Sequence, residues 1–261
     1  MARRSIRPAT SAPGATATLT DRAGGRPADA LALLETGEME LVGRLLEASN
    51  ATFLVSLTGP GGETGQAIYK PIRGERPLFD FPAGTLANRE HSAYLLSEAT
   101  GWRIVPPTVM RDGPLGRGMV QAWVDEDSNG DIVALLRRPD ARLRRIAVFD
   151  VLANNADRKG GHLLLTPEGH VHGVDHGICF AAEPKLRTVL WAWRGRRLNR
   201  AEVAVVEAVR AALRAELGTA LAELLSPAEV EATVRRADEL LARGTFPQPD
   251  PTRPAVPWPP F

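Results

Sequence analysis

Apolar and polar residues follow a strand-like pattern in the first half of the chain and helical spacing in the second. Met39–Leu57 predicts two strands joined by a polar turn, and Gln66–Pro71 predicts a third strand that ends at a proline. Leu86–Thr100 predicts a helix that Gly101 terminates, and Gly118–Val124 predicts a further strand. The first half is therefore expected to be β-rich with one helix.

The second half is predicted to be mostly helical. Asp140–Asn154 carries apolar residues at the spacing of a buried helix, and further helices are expected at about 200–217 and about 227–242. Between them, Leu163–Leu165 and Val171–Val174 flank a turn that contains proline and glycine. This pattern predicts a β-hairpin among the helices.

Composition divides the chain into four regions. Residues 1–30 are rich in Ala, Thr, Gly, Pro and Arg without periodic apolar positions, so they are predicted to be a disordered arm. Residues 31–125 form the expected first lobe, and residues 126–245 form the second. Residues 246–261 contain seven prolines and are expected to be an extended, proline-rich tail.

Charge and cysteine content restrict the function. The net charge of +1 provides no bulk attraction to nucleic acid or acidic lipid. No apolar run approaches the roughly 20 residues of a membrane span, and no apolar stretch follows the basic first residues as in a secretory signal. A cytoplasmic protein without stable membrane insertion is therefore expected. The single cysteine, Cys179, excludes an internal disulfide and lies in an apolar run.

Lysine is scarce among the basic residues. Of the 32 lysines and arginines, three are lysines, namely Lys70, Lys159 and Lys185. A site that needs a compact ammonium rather than a guanidinium fork is one reason for such a lysine, and chance is another. Lys70 lies on a predicted strand between apolar residues, and Glu90 begins a helical stretch downstream. Pairing between Lys70 and Glu90 is therefore expected.

A dense group of polar residues surrounds the predicted hairpin. Asn154–His162 forms a polar loop before it, and Asp175-His176-Gly177 follows its second strand. Because the hairpin folds the chain back, Asp175 is expected to approach Asp157 and His162. Phosphoryl transfer needs one carboxylate to accept the hydroxyl proton, and a carboxylate with a second ligand to hold magnesium on the phosphates. Turns built from Asn, Asp and Gly explain the same spacing.

Motifs between about residues 40 and 195 occur in a consistent order. They are Ile68-Tyr69-Lys70-Pro71, Arg89-Glu90 with Ala93-Tyr94-Leu95-Leu96, Val105-Pro106-Pro107-Thr108, Met119–Val124, Asp157-Arg158 with His162, Asp175-His176-Gly177 and Trp191-Ala192-Trp193. In this order they resemble the protein-kinase-like superfamily, in particular its phosphatidylinositol 3/4-kinase branch and the type II phosphatidylinositol 4-kinases. The loop from Asp157 to His162 also resembles that of HipA-type kinases. An actinobacterial family related to these kinases is expected.

The resemblance implies an α+β, two-lobed protein-kinase-like fold, with a β-rich N-lobe and a mostly helical C-lobe. It further implies a kinase that uses ATP with Mg²⁺ or Mn²⁺ and binds a nucleotide and a phosphate acceptor that the sequence does not specify. Asp157 and Arg158 would be catalytic, while Asp175 and His162 would bind the metal. The nucleotide-binding residues it implies are Lys70, Glu90, Ser49, Asn50, Gln121, Trp123 and Val124.

Two other functions stay open. His162 stands where the resembled kinases have an asparagine that binds a second metal, so a pseudokinase that binds nucleotide without turnover is one alternative. The other is a His/Asp dinuclear-metal hydrolase, because His170, His172, Asp175 and His176 resemble the metallo-β-lactamase signature. Two residues rather than one separate His172 from Asp175, which departs from that signature.

Overall fold

The computed structural model describes residues 6–8, 27–46 and 50–261, which divide into two compact units. Unit 1 comprises the described residues up to His91 together with Pro106–Asp125. Unit 2 comprises Ser92–Val105 and Glu126–Phe261. Residues 92–105 therefore belong to unit 2, although the sequence placed them in the first lobe.

Unit 1 is built on an antiparallel sheet. Its elements are β1 (Ile6–Pro8), α1 (Pro27–Thr36), β2 (Glu38–Leu45), β3 (Phe53–Thr58), β4 (Thr64–Pro71), the start of α2 (Leu86–Thr100), β5 (Thr108–Gly113) and β6 (Gly116–Ala122). The six strands are ordered β1-β2-β3-β4-β6-β5, and every neighbouring pair is antiparallel.

The two faces of this sheet pack against different helices. Tyr69 of β4 faces α1, where it shares a buried core with Leu33. Ile68 faces the beginning of α2 and packs against Ala87. Because side chains alternate along a strand, Lys70 lies on the same face as Ile68. The sheet thereby presents the lysine to α2.

Unit 2 is mostly helical. Besides the end of α2 it contains α3 (Ile132–Leu136), α4 (Ala141–Ala153), β7 (Leu163–Leu165), β8 (Val171–Gly173), α5 (Arg200–Leu213), α6 (Glu216–Ala222) and α7 (Pro227–Arg243). Strands β7 and β8 form the predicted antiparallel hairpin. The single helix predicted at about 200–217 is two helices, because Ala215 leaves helical geometry between them. Buried Leu213 and Leu217 keep helical spacing across the break, which conceals it in the sequence.

Part of the predicted disordered arm, residues 1–30, has regular structure. Strand β1 pairs with β2 at the sheet edge, and residues 27–30 belong to α1. The prediction is corrected there because α1 is anchored through Leu33 and Leu34 in the core, a contact that arm composition does not reveal. The other residues of the predicted arm lie outside the described part of the chain.

The proline-rich residues 246–261 have no helix or strand and run along unit 2. Phe246 is buried, and the guanidinium carbon of Arg144 lies over its aromatic ring, 4.8 Å from the ring centre. The carbonyl of Ala255 accepts hydrogen bonds from the N–H of Thr188 (3.1 Å) and the indole of Trp191 (2.8 Å). In the part of the chain that the structure describes, no helix has the length and apolarity needed to cross a membrane.

Candidate functional site

Lys70 and Glu90 form an ion pair within unit 1. Nζ of Lys70 lies 2.5 Å from Oε1 of Glu90, and the two side chains are 19% and 2% exposed. A nearly enclosed carboxylate needs a counter-charge, so Glu90 fixes the ammonium while leaving part of it accessible to solvent. The pairing expected from the sequence is present.

The loop that leads from β4 into α2 is tied down around this pair. Both carboxylate oxygens of Glu75 accept backbone N–H groups at the start of α2, from Leu86 (3.1 Å) and Ala87 (2.8 Å). Asn50 uses its side-chain oxygen to accept the N–H of Arg76 at 2.8 Å. The predicted nucleotide ligand Asn50 thus already holds this loop, and the neighbouring predicted ligand, Ser49, lies outside the described residues.

The segment predicted to contact the nucleotide base is largely enclosed. Gln121 is 4% exposed and donates its amide to the hydroxyl of Thr108 at 2.9 Å, and Val124 is 3% exposed. These side chains are committed to the interior, so ligand contacts by either residue would use the backbone. Trp123, in contrast, is only partly buried. It packs against the apolar cluster that contains Ile68, on the face of the sheet where Lys70 also lies.

In unit 2, Arg158 and Asp150 form an ion pair in which both side chains are 0% exposed. Nη2 of Arg158 donates to Asp150 (2.9 Å) and to Nε2 of His176 (2.6 Å), and Nη1 donates to the carbonyl of Val174 (3.0 Å). A guanidinium only donates, so Nε2 of His176 accepts and the ring is neutral with its proton on Nδ1. A fully buried side chain does not reach a substrate. The predicted catalytic contact of Arg158 is therefore corrected to a structural contact within the buried network of unit 2.

Asn155 connects this buried pair to Asp157. Its amide donates to Asp150 at 3.0 Å, and its side-chain oxygen accepts the N–H of Asp157 at 2.9 Å. Before it, Asn154 ends α4 in the left-handed conformation (φ 49°) and donates to the carbonyl of Ala181. The backbone of Asp157 is thus fixed from behind, and its carboxylate takes no part in these bonds.

The carboxylate of Asp157 meets a lysine instead. Nζ of Lys159 lies 3.0 Å from Oδ2 of Asp157, and the side chains are 24% and 23% exposed. Both groups are accessible enough to meet a ligand, and the ammonium can neutralise charge that accumulates beside the carboxylate. Lysine scarcity singled out Lys159 in the sequence, but it was not assigned to the site.

Asp175 and His162 face each other across the end of the hairpin. Nε2 of His162 is 3.4 Å from Oδ2 of Asp175, whose side chain is 54% exposed. Asp175 has φ 62°, an unfavourable conformation for a residue with a Cβ that is found preferentially at functional sites. Burial lowers the pKa of His162, and the charge of Asp175 opposes this effect. The imidazole is therefore neutral near pH 7.

The ring orientation of His162 decides what it offers to a ligand. Nδ1 accepts a long hydrogen bond from the N–H of Lys159 (3.5 Å), which places the ring proton on Nε2, facing Asp175. In this arrangement the imidazole orients the carboxylate. Metal ligation by His162 would require the other tautomer and stays a prediction.

The carboxylate of Asp175 is compatible with a divalent ion that takes most of its ligands from water and from substrate phosphates. Among the described residues no group of three or more His, Cys, Asp and Glu side chains is placed to hold a metal. Mg²⁺ commonly uses one or two carboxylates and takes its other ligands from water and substrate phosphates. The exposed carboxylate of Asp175 suits that arrangement, and binding of Mg²⁺ or Mn²⁺ by Asp175 stays a prediction.

The histidines of the alternative hydrolase signature are used otherwise. Nε2 of His170 lies 2.9 Å from the carbonyl of Arg103, and Nδ1 of His172 lies 3.2 Å from that of Ile104. The two rings are 4.4 Å apart and tie β8 to this neighbouring segment. The arrangement gives no support to a dinuclear metal centre.

The residues missed by the sequence analysis include those that organise the loop. Asp150 pairs with Arg158, and Asn155 links Asp150 to the backbone of Asp157; neither residue was assigned a role from the sequence. The one available signal was the acid at position 150 within an otherwise apolar helical stretch, because a buried acid requires a buried partner.

Comparison with other proteins relates the chain to kinases. It is 45% identical to Protein Rv2133c of Mycobacterium tuberculosis over 268 aligned positions, which cover 89% of this chain and 96% of that protein. The proteins named phosphatidylinositol 4-kinase gamma 4 in Oryza sativa and Arabidopsis thaliana are 24% and 26% identical over 67% and 72% of this chain. The alignments span 40% and 41% of those plant proteins. No family model matches the chain.

The fold is also found among solved structures. The proinflammatory kinase CtkA of Helicobacter pylori superposes with a TM-score of 0.50 and 12% identity, covering 81% of this chain and 97% of that one. At this identity the similarity concerns the fold alone. The predicted kinase-like α+β fold is confirmed, and the sequence resemblance is confirmed at the level of the kinase-like superfamily.

The buried ion pair of Arg158 and Asp150 is expected to stabilise the fold. Arg158→Met leaves the carboxylate of Asp150 buried without its counter-charge and should lower the free energy of unfolding by about 3–5 kcal/mol. Urea denaturation measures the loss. Arg214→Met is the matched control, since Arg214 pairs with Asp238 at the surface and its removal should cost less than about 1 kcal/mol. Equal effects of the two substitutions would contradict a buried structural pair.

A second stability prediction concerns acid. Burial, followed by the neighbouring His170, lowers the pKa of His172 to about 4. An unfolded histidine titrates near pH 6.5, so between about pH 6.5 and about pH 4 the unfolded state takes up a proton that the folded state does not. Stability should therefore be lost as the pH falls through this window. His172→Asn should reduce the loss by up to about 3 kcal/mol in urea denaturation at stepped pH. Parallel pH profiles for both proteins would show that His172 is not responsible.

Proposed function

The chain belongs to the same family as Protein Rv2133c of Mycobacterium tuberculosis, and we propose that it is a phosphotransferase that uses ATP and a divalent metal ion. The acceptor is a hydroxyl group of a protein, a small molecule or a lipid. The observation that carries this proposal is the ion pair between Lys70 on a strand and Glu90 on the following helix. Kinases use such a pair to hold the phosphates of ATP.

The polar loop of unit 2 supports the same reaction. Asp157 has a partly exposed carboxylate on a backbone that buried hydrogen bonds hold in place. Asp175 offers an exposed carboxylate in a left-handed backbone conformation, which occurs preferentially at functional sites. General-base and metal-binding roles thus fall on two different acids.

The reaction assigns one task to each group. The acceptor hydroxyl gives its proton to Asp157, its oxygen bonds to the γ-phosphorus of ATP, and ADP leaves with the electrons of the broken bond. Lys70 binds the phosphates, aligned by Glu90, and Lys159 neutralises charge next to Asp157. Asp175 would hold the metal ion, which would neutralise charge on the phosphates.

A nucleotide-binding pseudokinase is the second candidate. The hydrogen bonds of His162 favour a ring that orients Asp175 over one that binds metal, which leaves one protein ligand for the ion. Such a protein would bind ATP without transferring phosphate. Titration with ATP and Mn²⁺, together with an assay of radiolabel transfer, separates the two functions.

Lys70→Met should weaken ATP binding and slow turnover, because it keeps the length of the side chain and removes its charge. Loss of a charge-assisted contact corresponds to roughly a tenfold to hundredfold reduction in affinity, measured by calorimetry with ATP and Mn²⁺. Glu90→Gln should have a smaller effect, since Glu90 only orients the lysine. Lys185→Met is the matched control and should bind as the wild type does. Unchanged affinity in Lys70→Met would refute the assignment.

The two aspartates should separate binding from transfer. Asp157→Asn should lower the transfer rate by at least about a hundredfold while metal-dependent nucleotide binding persists. Asp175→Asn should lose both, because its carboxylate holds the metal. Binding is measured by titrating Mn²⁺ into protein with a non-hydrolysable ATP analogue. Equal loss of metal-dependent binding in the two variants would overturn this division.

A further inference from the structure

The end of the proline-rich segment lies directly on the polar loop of unit 2. The carbonyl of Pro260 accepts the N–H of Gly160 at 2.8 Å. The ring of Phe261 occupies the space that a side chain at position 160 would need, since a Cβ built there would lie 2.6 Å from Cζ of Phe261. Real Cβ atoms do not approach other atoms so closely. Glycine at position 160 and the ring of Phe261 are therefore complementary.

The same segment is anchored a few residues earlier. The carbonyl of Ala255 accepts the N–H of Thr188, whose backbone is bridged to that of Arg158. The hydroxyl of Thr188 in turn lies 3.4 Å from the buried carboxylate of Asp150. The segment thus contacts the loop at Gly160 and, through Thr188, the network that supports the loop.

Gly160 lies between two side chains of the candidate site, those of Lys159 and His162. It begins the short 3-10 turn Gly160–His162, with Lys159 on one side and His162 at the far end. Two successive glycines have no intrinsic preference for one conformation. Asn155 and Asp150 restrain the loop before Gly160, and the carbonyl of His162 accepts the N–H of Val174 at 3.0 Å after it. The N–H of Gly160 itself is bound by Pro260, so the segment adds a restraint between these two points.

We propose that Pro260 and Phe261 are positioning residues of the phosphotransfer site, which fix the Gly160–Gly161 turn and thereby the placement of Lys159 and His162. This role rests on the proposed function. The hydrogen bond from Gly160 sets the direction of the turn, and the ring of Phe261 prevents the glycine from moving outward. Trp258 of the same segment is 85% exposed and has no part in this role.

Phe261→Ala tests the proposal in the full chain, with Phe261→Leu as the conservative variant and Trp258→Ala as the control in the same segment. Hydrogen exchange at the amide of Gly160 should be roughly fivefold to tenfold faster in Phe261→Ala, as expected for a weakened hydrogen bond. The affinity for a non-hydrolysable ATP analogue with Mn²⁺ should fall by a similar factor. Phe261→Leu should recover part of both effects, and Trp258→Ala should match the wild type.

Gly160→Ala tests the same contact from the side of the glycine. The added methyl group should displace the ring of Phe261 and give the same faster exchange and weaker binding. In Phe261→Ala, the same substitution should add little, because the contact is already lost. Full additivity of the two changes would show that the ring and the glycine do not act through each other, and would overturn the inference.

The remaining outcomes are equally decisive. Faster exchange with unchanged nucleotide affinity would reduce Phe261 to a packing residue and overturn the positioning role. A lower thermal midpoint in Phe261→Ala, without faster exchange at Gly160 relative to other unit 2 amides, would do the same. If wild-type protein binds no nucleotide, the proposed function fails. The exchange measurements then still report whether Phe261 holds the turn.

Discussion

A guanidinium that is shut off from water has to find an acceptor for its donors, and in unit 2 this requirement organises the polar loop. Arg158 donates to Asp150 on α4, to the carbonyl of Val174 after the hairpin, and to His176. These acceptors come from two parts of the sequence, α4 and the segment after the hairpin, so neither part can shift without leaving a donor of the buried guanidinium unsatisfied. Asp157 and Asp175, which are adjacent to members of this network, take their positions from it.

Arginine and lysine occupy different environments in the two ion-paired regions of this chain. The planar fork of arginine serves where several acceptors must be satisfied in a dry interior, as at Arg158. Lysine stands where one compact charge has to stay within reach of solvent, with Lys70 19% and Lys159 24% exposed. In a chain whose basic residues are overwhelmingly arginine, these two lysines are paired with Glu90 and Asp157, two carboxylates of the proposed site.

The sequence was informative where local rules decide the structure. Helix α2 was predicted with its observed bounds, since apolar spacing and a terminating glycine are local signals. The expected pairing of Lys70 with Glu90 followed from strand alternation and helix position. Arg158 was misassigned because its burial depends on Asp150, eight residues earlier, and a motif does not report burial. Asn50 and Gln121 illustrate the same limit, since competition for their hydrogen bonds is settled by tertiary neighbours.

Lys70 on β4 and the first turns of α2, which carry Glu90, are parts of the same packed unit, and the two side chains form an ion pair within it. A kinase that has to swing its helix inward before the lysine is aligned spends part of its binding energy on that rearrangement. Here the lysine and the glutamate both lie within unit 1, so in the proposed reaction the alignment of the ammonium would not depend on such a movement. Control of such a protein would then have to act on something other than the alignment of the lysine.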